Sequence, residues 1–219
     1  MEQSGTMLKA IILDLCGTLT LGSCDPEAEI IEMFDLKCEY GLIESFVCGT
    51  KFEDWSTYIE GILRGVGLPI TDENIQRVRQ IFEEDYKKDK ILDGVKDVLG
   101  EIKMLNLGFG LISNCPNDNY KILERNNLGD FFDVKIYSHE VGLVKPSKEI
   151  FQLALQSLKV KPEEALMIGD SMSSDIKGAE GVGIQTLLAD YKNKFPDYKG
   201  PRVTSLRSIP EYVKMHFLD

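Results

Sequence analysis

Four stretches of this sequence end an apolar run on residues able to handle phosphorus or a metal ion. Lys9 to Asp14 reads KAIILD, followed by Cys16, Gly17 and Thr18. A carboxylate at the end of such a run can attack phosphorus or bind a metal; it equally suits a turn or helix cap. Gly17 lets the backbone bend close to a ligand. Ser113 and Asn114 end the run FGLIS. Their hydroxyl and nearby backbone N–H groups suit a phosphoryl oxygen, although both residues are also common in turns. Lys145 lies in GLVKPS, where Pro146 is read as a helix start with Ser147 after it. A lysine held there neutralises a carboxylate and a transferring phosphoryl group; a solvated surface lysine is the other reading. Asp170 and Asp175 fall in GDSMSSD. One acid on a strand end and one at the next helix start suit a hard cation such as Mg²⁺, or simply a helix N-terminus.

These residues need elements that bring them together. Short continuous apolar runs predict buried strands at Lys9–Asp14, Phe109–Ser113, Val134–Tyr137, Ala165–Ile168 and Ile184–Leu188. Helical spacing fills the gaps at Gly94–Leu105, Asn117–Asn127, Ser147–Leu158 and Ser173–Gly181. Strands alternating with helices predict a doubly wound, mostly parallel α/β sheet, and ligands of such sheets bind at the carboxyl ends of the strands. One stretch breaks the rhythm. Asp25 to about Lys90 offers helices at Pro26–Phe34, Phe52–Leu63 and Thr71–Lys88, with Thr71 as an N-cap. The expected organisation is therefore an α/β core over 7–22 and 91–219, interrupted by an α-helical cap over 23–90. Asn193–Pro201 reads as a surface loop.

The formal net charge of −11 argues against nucleic acid or an anionic membrane as the main partner, and any phosphate site then needs a metal or lysine. Five cysteines, an odd number without a CxxC pair, disfavour a zinc site or disulfide framework and point to the reducing cytoplasm. No apolar run approaches the roughly 18 residues of a membrane span, and the short polar start, Met1–Thr6, is not a signal peptide; Met7 is an alternative natural start.

Taken in order, Asp14 with Gly17-Thr18-Leu19, Ser113-Asn114, Lys145-Pro146, and Gly169-Asp170 with Asp175 resemble the four motifs of the haloacid dehalogenase-like (HAD) hydrolase superfamily. The resemblance implies a Rossmann-like core with a small cap between the first and second motifs, and a phosphatase-type reaction on a small phosphorylated molecule. It implies Asp14 as the nucleophile that becomes an aspartyl-phosphate, and Mg²⁺ held by Asp14, the Cys16 backbone carbonyl and Asp170. Ser113 and Asn114 would orient the phosphoryl group, Lys145 would steady Asp14, and Asp175 would be an acid in or behind the metal site.

The sequence departs from the family at position 16. Phosphatases of the family place a second aspartate two residues after the nucleophile to protonate the leaving group; here Cys16 stands there. A thiol, with an ordinary pKa of about 8.5, replaces it poorly. Weak or selective phosphatase activity follows, with an acid borrowed from substrate or cap, for which Glu53 and Asp54 are candidates. A phosphonatase-like reaction through a cap lysine, Lys51, is an alternative. A haloacid dehalogenase fits less well, because Gly169-Asp170 and Asp175 are kept. A non-catalytic protein binding a phosphorylated ligand or a protein partner is the alternative of another class. Cys16 next to the site also invites oxidation. Trp55, with Phe52, Tyr58 and Ile59, reads as cap packing, and Glu83-Glu84-Asp85 as a solvated helix face. His139 is placed near the site mouth, with a loop role as the simpler reading.

Overall fold

The computed structural model describes residues 7–21, 26–37, 40–51, 54–88, 90–116 and 121–218. Strand β1 (Ala10–Leu13) leads into four helices, α1 (Pro26–Met33), α2 (Tyr40–Gly49), α3 (Trp55–Gly65) and α4 (Asp72–Lys88). Alternation then begins with α5 (Val95–Lys103), β2 (Gly108–Ser113), α6 (Lys121–Arg125), β3 (Val134–Tyr137), α7 (Ser138–Val141) and α8 (Lys148–Leu158). The chain ends through β4 (Ala165–Gly169), a helical stretch Met172–Lys177 continuing into α9 (Gly178–Glu180), β5 (Gln185–Ala189), β6 (Arg202–Val203) and α10 (Ile209–Val213).

The six strands form one sheet in the order β3-β2-β1-β4-β5-β6, and every pair is parallel. Both faces are covered, and the period-2 geometry of a strand divides its side chains between them. Ile11, Leu13, Leu166 and Ile168 join one buried cluster with Val95, Leu99 and Ile209. Ala10, Ile12, Ala165 and Met167 face the other, with Ile150, Phe151 and Ala154 of α8. Burial on both faces explains why β1 and β4 read as unbroken apolar runs.

Helices α1–α4 have their own core of Ile30, Ile43, Val47, Tyr58, Ile62, Val78 and Ile81. The seam is an antiparallel bridge between Thr20 and Ile91, flanked by the Leu21 N–H donating to the Lys90 carbonyl and the Leu92 N–H to the Leu19 carbonyl. Among the described residues between α1 and α4 there is no strand, as the periodicity predicts. Thr71 Oγ1 accepts from the Asn74 N–H at 3.2 Å, at the start of α4. Trp55 packs edge-on to Tyr58 and Phe82 at 5.5–5.6 Å; Tyr58 and Phe82 belong to the buried core of α1–α4, and Trp55 is an exposed ring at its edge.

Several boundaries differ from the sequence reading. Helix α2 was not foreseen: its ten residues, YGLIESFVCG, carry one charge and so show no polar face. The helix expected from Phe52 starts at Trp55, because Asp54 is its N-cap. Helix α8 starts at Lys148 with Ser147 as N-cap, so Pro146 precedes the helix rather than opening it. Residues 117–120 of the expected Asn117–Asn127 helix lie outside the described residues, and α6 covers only Lys121–Arg125. After the Asn193–Pro201 loop the chain adds β6 and α10; a two-residue edge strand leaves no periodicity to read. Among the described residues, no helix is long and apolar enough to cross a membrane.

Candidate active site

The carboxyl ends of β1, β2 and β4 meet at the middle of the sheet, and each delivers part of one polar cluster. Asp14 directly follows β1 and is buried. Its Oδ1 accepts from Lys145 Nζ at 2.7 Å, and its Oδ2 from Thr18 Oγ1 at 3.1 Å. Lys145, also buried, donates in addition to Asp175 Oδ1 at 2.6 Å and to the Ile112 carbonyl at 3.1 Å. One ammonium thus spends its three protons on two carboxylates and the end of β2.

Asp14, Asp170 and Asp175 each offer an oxygen within 4.8 Å of the others. Lys145 pairs with Asp14 and Asp175, and the third acid, Asp170, faces Lys194 at 3.9 Å, so three carboxylates meet two ammonium groups and the cluster is short of positive charge. Burial pushes the Asp14 carboxyl up to about 7, against the pull of Lys145. Burial and the Asp175 charge also push Asp170 up. For Lys145, burial opposes the ammonium, but Asp14 and Asp175 outweigh it and hold the proton firmly. Lys145 is therefore an electrostatic partner, not an amine nucleophile.

This donor set fits a hard divalent cation. All candidate ligands are oxygens, as Mg²⁺ prefers, and the backbone leaves room for them. Gly17 has φ +80°, and a Cβ there would stand 2.5 Å from Asp170 Oδ2. Glycine is required twice, for its left-handed conformation and for the closeness of Asp170. Gly17→Ala is expected to displace Asp170 and weaken Mg²⁺ binding by at least about tenfold, read by calorimetric titration. Asp175, like Asp14, has both oxygens in hydrogen bonds: Oδ1 accepts from Lys145 and Oδ2 from the Ser171 N–H at 3.0 Å. It holds the Lys145 ammonium at 2.6 Å and stands with Asp14 and Asp170 in the one acidic group, among the described residues, able to hold an ion.

Two expected phosphate ligands sit differently from the sequence reading. Asn114 Nδ2 donates to the Lys145 carbonyl and to Glu44 Oε1, both at 2.9 Å, and Oδ1 accepts from the Lys145 N–H at 2.8 Å. Both amide protons are spent, so here Asn114 clamps Lys145 instead of presenting donors to a phosphoryl group. Ser113 is fully buried; its hydroxyl lies beside the Cys115 thiol and does not line the cleft.

A cleft of about 650 Å³ opens over the cluster, lined by Asp14, Cys16, Glu44, Lys145, Asp170 and the lysines 177, 192 and 194. Lys194 Nζ stands 3.9 Å from Asp170 Oδ2. The loop carrying Lys192 and Lys194 is fixed by buried Asp190, which accepts from the Lys194 and Phe195 N–H groups and from Arg202. Sequence reading did not single out these lysines or Glu44, because no local pattern marks them.

The remaining candidates fall away from the cleft. Lys51 is exposed and outside its lining. Asp54 Oδ1 accepts from the Thr57 N–H at 2.9 Å, and backbone hydrogen bonds hold its carboxyl below the ordinary range; it is a helix cap, not a proton donor. Glu53 lies outside the described residues. His139 is buried beneath the site, with Nδ1 3.1 Å from the Cys115 carbonyl, not at the mouth.

The haloacid dehalogenase-like hydrolase family matches residues 8–183. The chain belongs to the haloacid dehalogenase-like hydrolases. Glyceraldehyde 3-phosphate phosphatase of Pyrococcus furiosus is 37% identical over 128 residues, covering 55% of this chain and 53% of that protein. The chain thus spans about half the length of that relative. Pyrophosphatase PpaX of Halalkalibacterium halodurans is 28% identical over 209 residues, covering 83% of this chain and 94% of that protein. A 2-haloacid dehalogenase from Pseudomonas syringae superimposes with a TM-score of 0.65 at 21% identity, covering 95% of this chain and 99% of that one. The HAD fold carries proteins named for different reactions, so the reaction must be argued from side chains.

Proposed function

We propose that this HAD-like hydrolase is a Mg²⁺-dependent phosphohydrolase acting through an aspartyl-phosphate on Asp14. The observation that supports it most is the buried Asp14–Lys145–Asp175 chain beside Asp170. Asp14 and Asp170, with the Cys16 carbonyl, would hold the ion, which when bound supplies positive charge to the transferring phosphoryl group. Asp14 attacks phosphorus. Lys145 keeps Asp14 oriented and offsets charge on the phosphoryl oxygens, the larger part of the work in such transfers. Asp175 and Asn114 keep Lys145 in place from its ammonium and backbone ends.

The segment 23–90 acts as a cap over the core of 7–22 and 91–219, with a small phosphorylated substrate closed between them. Lys177, Lys192 and Lys194 offset the net charge of −11 locally and draw an anionic substrate in. The reduced thiols of Cys16, Cys48 and Cys115 suit the cytoplasm. A Schiff-base reaction at Lys51 has no support, since that side chain is outside the cleft.

Phosphate release from a panel of esters, acyl phosphates, a phosphonate and a 2-haloacid tests the reading. Release from P–O substrates is expected; halide or phosphonate cleavage alone would overturn it. Metal binding should also depend on pH. Below about 7 the Asp14 carboxyl keeps its proton, and a cation must displace it. The melting-temperature gain from Mg²⁺ is therefore expected to be larger at about pH 8 than at about pH 5.5, in paired thermal melts.

A further inference from the structure

We infer that Glu44 of α2 is the general acid and base of this site, filling the role that position 16 leaves open. The inference rests on the phosphohydrolase reading above. Position 16 carries a thiol where that reaction needs a carboxyl group, and Cys16 and Glu44 line the same cleft, along with Asp14 and Lys145. Glu44 is half-buried and comes from the cap side.

Its position is fixed from two directions. Oε1 accepts from Asn114 Nδ2 at 2.9 Å, and Asn114 is itself locked to both backbone groups of Lys145. At its carboxyl end α2 runs close against the loop before Lys145: a Cβ on Gly49 would stand 2.9 Å from Val144 Cγ2. Cys48, one turn further along α2, donates to buried Glu27 at 3.2 Å on the cap side, while Lys145 lies on the core side.

The geometry of displacement explains why a cap carboxyl suits the role. Attacking and leaving oxygens lie roughly in line across phosphorus. With Asp14 attacking from the core, the leaving oxygen faces the cap. In the first step the Asp14 carboxylate forms a bond to phosphorus, the bond to the leaving oxygen breaks, and that oxygen takes the Glu44 proton. In the second step the Glu44 carboxylate takes a proton from water, whose oxygen bonds to phosphorus as the bond to Asp14 breaks. Phosphate leaves, Asp14 is regenerated and Glu44 again carries its proton.

Glu44→Gln keeps an acceptor oxygen for Asn114 and removes the proton transfer. The experiment compares glycerol phosphate, a poor leaving group, with p-nitrophenyl phosphate, whose leaving oxygen needs no proton. Glu44→Gln is made in the wild-type and Cys16→Asp chains, with Mg²⁺ present. In the wild-type background it is expected to lower glycerol phosphate turnover by roughly 10²–10⁴-fold, and to slow the first burst of p-nitrophenol far less. In the Cys16→Asp background, where a second carboxyl is restored, the same substitution is expected to cost less than about tenfold. Equal losses for both leaving groups, equal losses in both backgrounds, or no loss at all would each overturn the role of Glu44. Turnover by Cys16→Asp with none by the wild type also overturns it, while leaving the phosphohydrolase reading intact. Inertness of both chains overturns that reading itself.

Discussion

Asp14→Asn is expected to abolish phosphate release, by on the order of 10⁴-fold or more, while the protein stays folded. Asparagine matches aspartate in shape and keeps an oxygen for Lys145 Nζ, which stands 2.7 Å from Oδ1. What it loses is the anionic oxygen proposed to attack phosphorus. The same substitution should not lower metal-free stability near neutral pH. Burial pushes the Asp14 carboxyl up to about 7, against about 3.9 in an unfolded chain. Between those values the folded state holds a proton that the unfolded chain has released, so the contribution of Asp14 to stability falls as pH rises through that window. Asparagine carries no such penalty. Thermal melts at about pH 8 should show Asp14→Asn at least as stable as the metal-free wild type, and a clear drop would count against this picture of the site.

Lys145→Met is the second large effect, and it should damage both fold and activity. The substitution keeps the length of the side chain and removes three hydrogen bonds, to Asp14, Asp175 and the Ile112 carbonyl. Asp14, Asp170 and Asp175 are then left facing one another without their buried cation. Removing one partner of a buried ion pair typically costs ~3–5 kcal/mol, a large share of the stability of a domain this size. Denaturant unfolding should show that loss. Added Mg²⁺ is expected to recover part of it, since the ion supplies charge to the same carboxylates. Activity should stay at least ~10²-fold down even when stability is recovered, because the proposed role of Lys145 includes steadying the transferring group. Unchanged stability would mean that the three acids do not depend on this lysine.

What was readable in the sequence follows from how each feature is encoded. β1 and β4 announce themselves because both faces of the sheet are covered, which leaves an unbroken apolar run before Asp14 and before Asp170. The acids then stand at strand ends by chain order alone. The helical character of the segment after β1 was equally plain, since α3 and α4 repeat apolar residues at helical spacing. Asn114 is a different case. Its type and place suit a phosphate ligand, but its two amide protons go to Lys145 and Glu44, residues 31 and 70 positions away. Glu44 was invisible for the same reason: nothing near it in the chain indicates that α2 will lie over the ends of β1 and β2. The hold of Asp175 on Lys145 also needed coordinates, because the two residues are 30 positions apart and only the 2.6 Å bond between them shows it. Local patterning specifies strands and their terminal residues, whereas contacts across the cleft depend on tertiary packing.

Asp14 and Asp170 are proposed to form a metal-assisted phosphoryl-transfer site. The most direct test is phosphate release by the purified wild-type chain from acetyl phosphate and a set of phosphate esters, with Mg²⁺, with EDTA, and with Mg²⁺ restored in excess. Release is expected with Mg²⁺, with its loss in EDTA and its return when the ion is restored. Equal release in EDTA, or no release from any of these compounds under any of the three conditions, would contradict it.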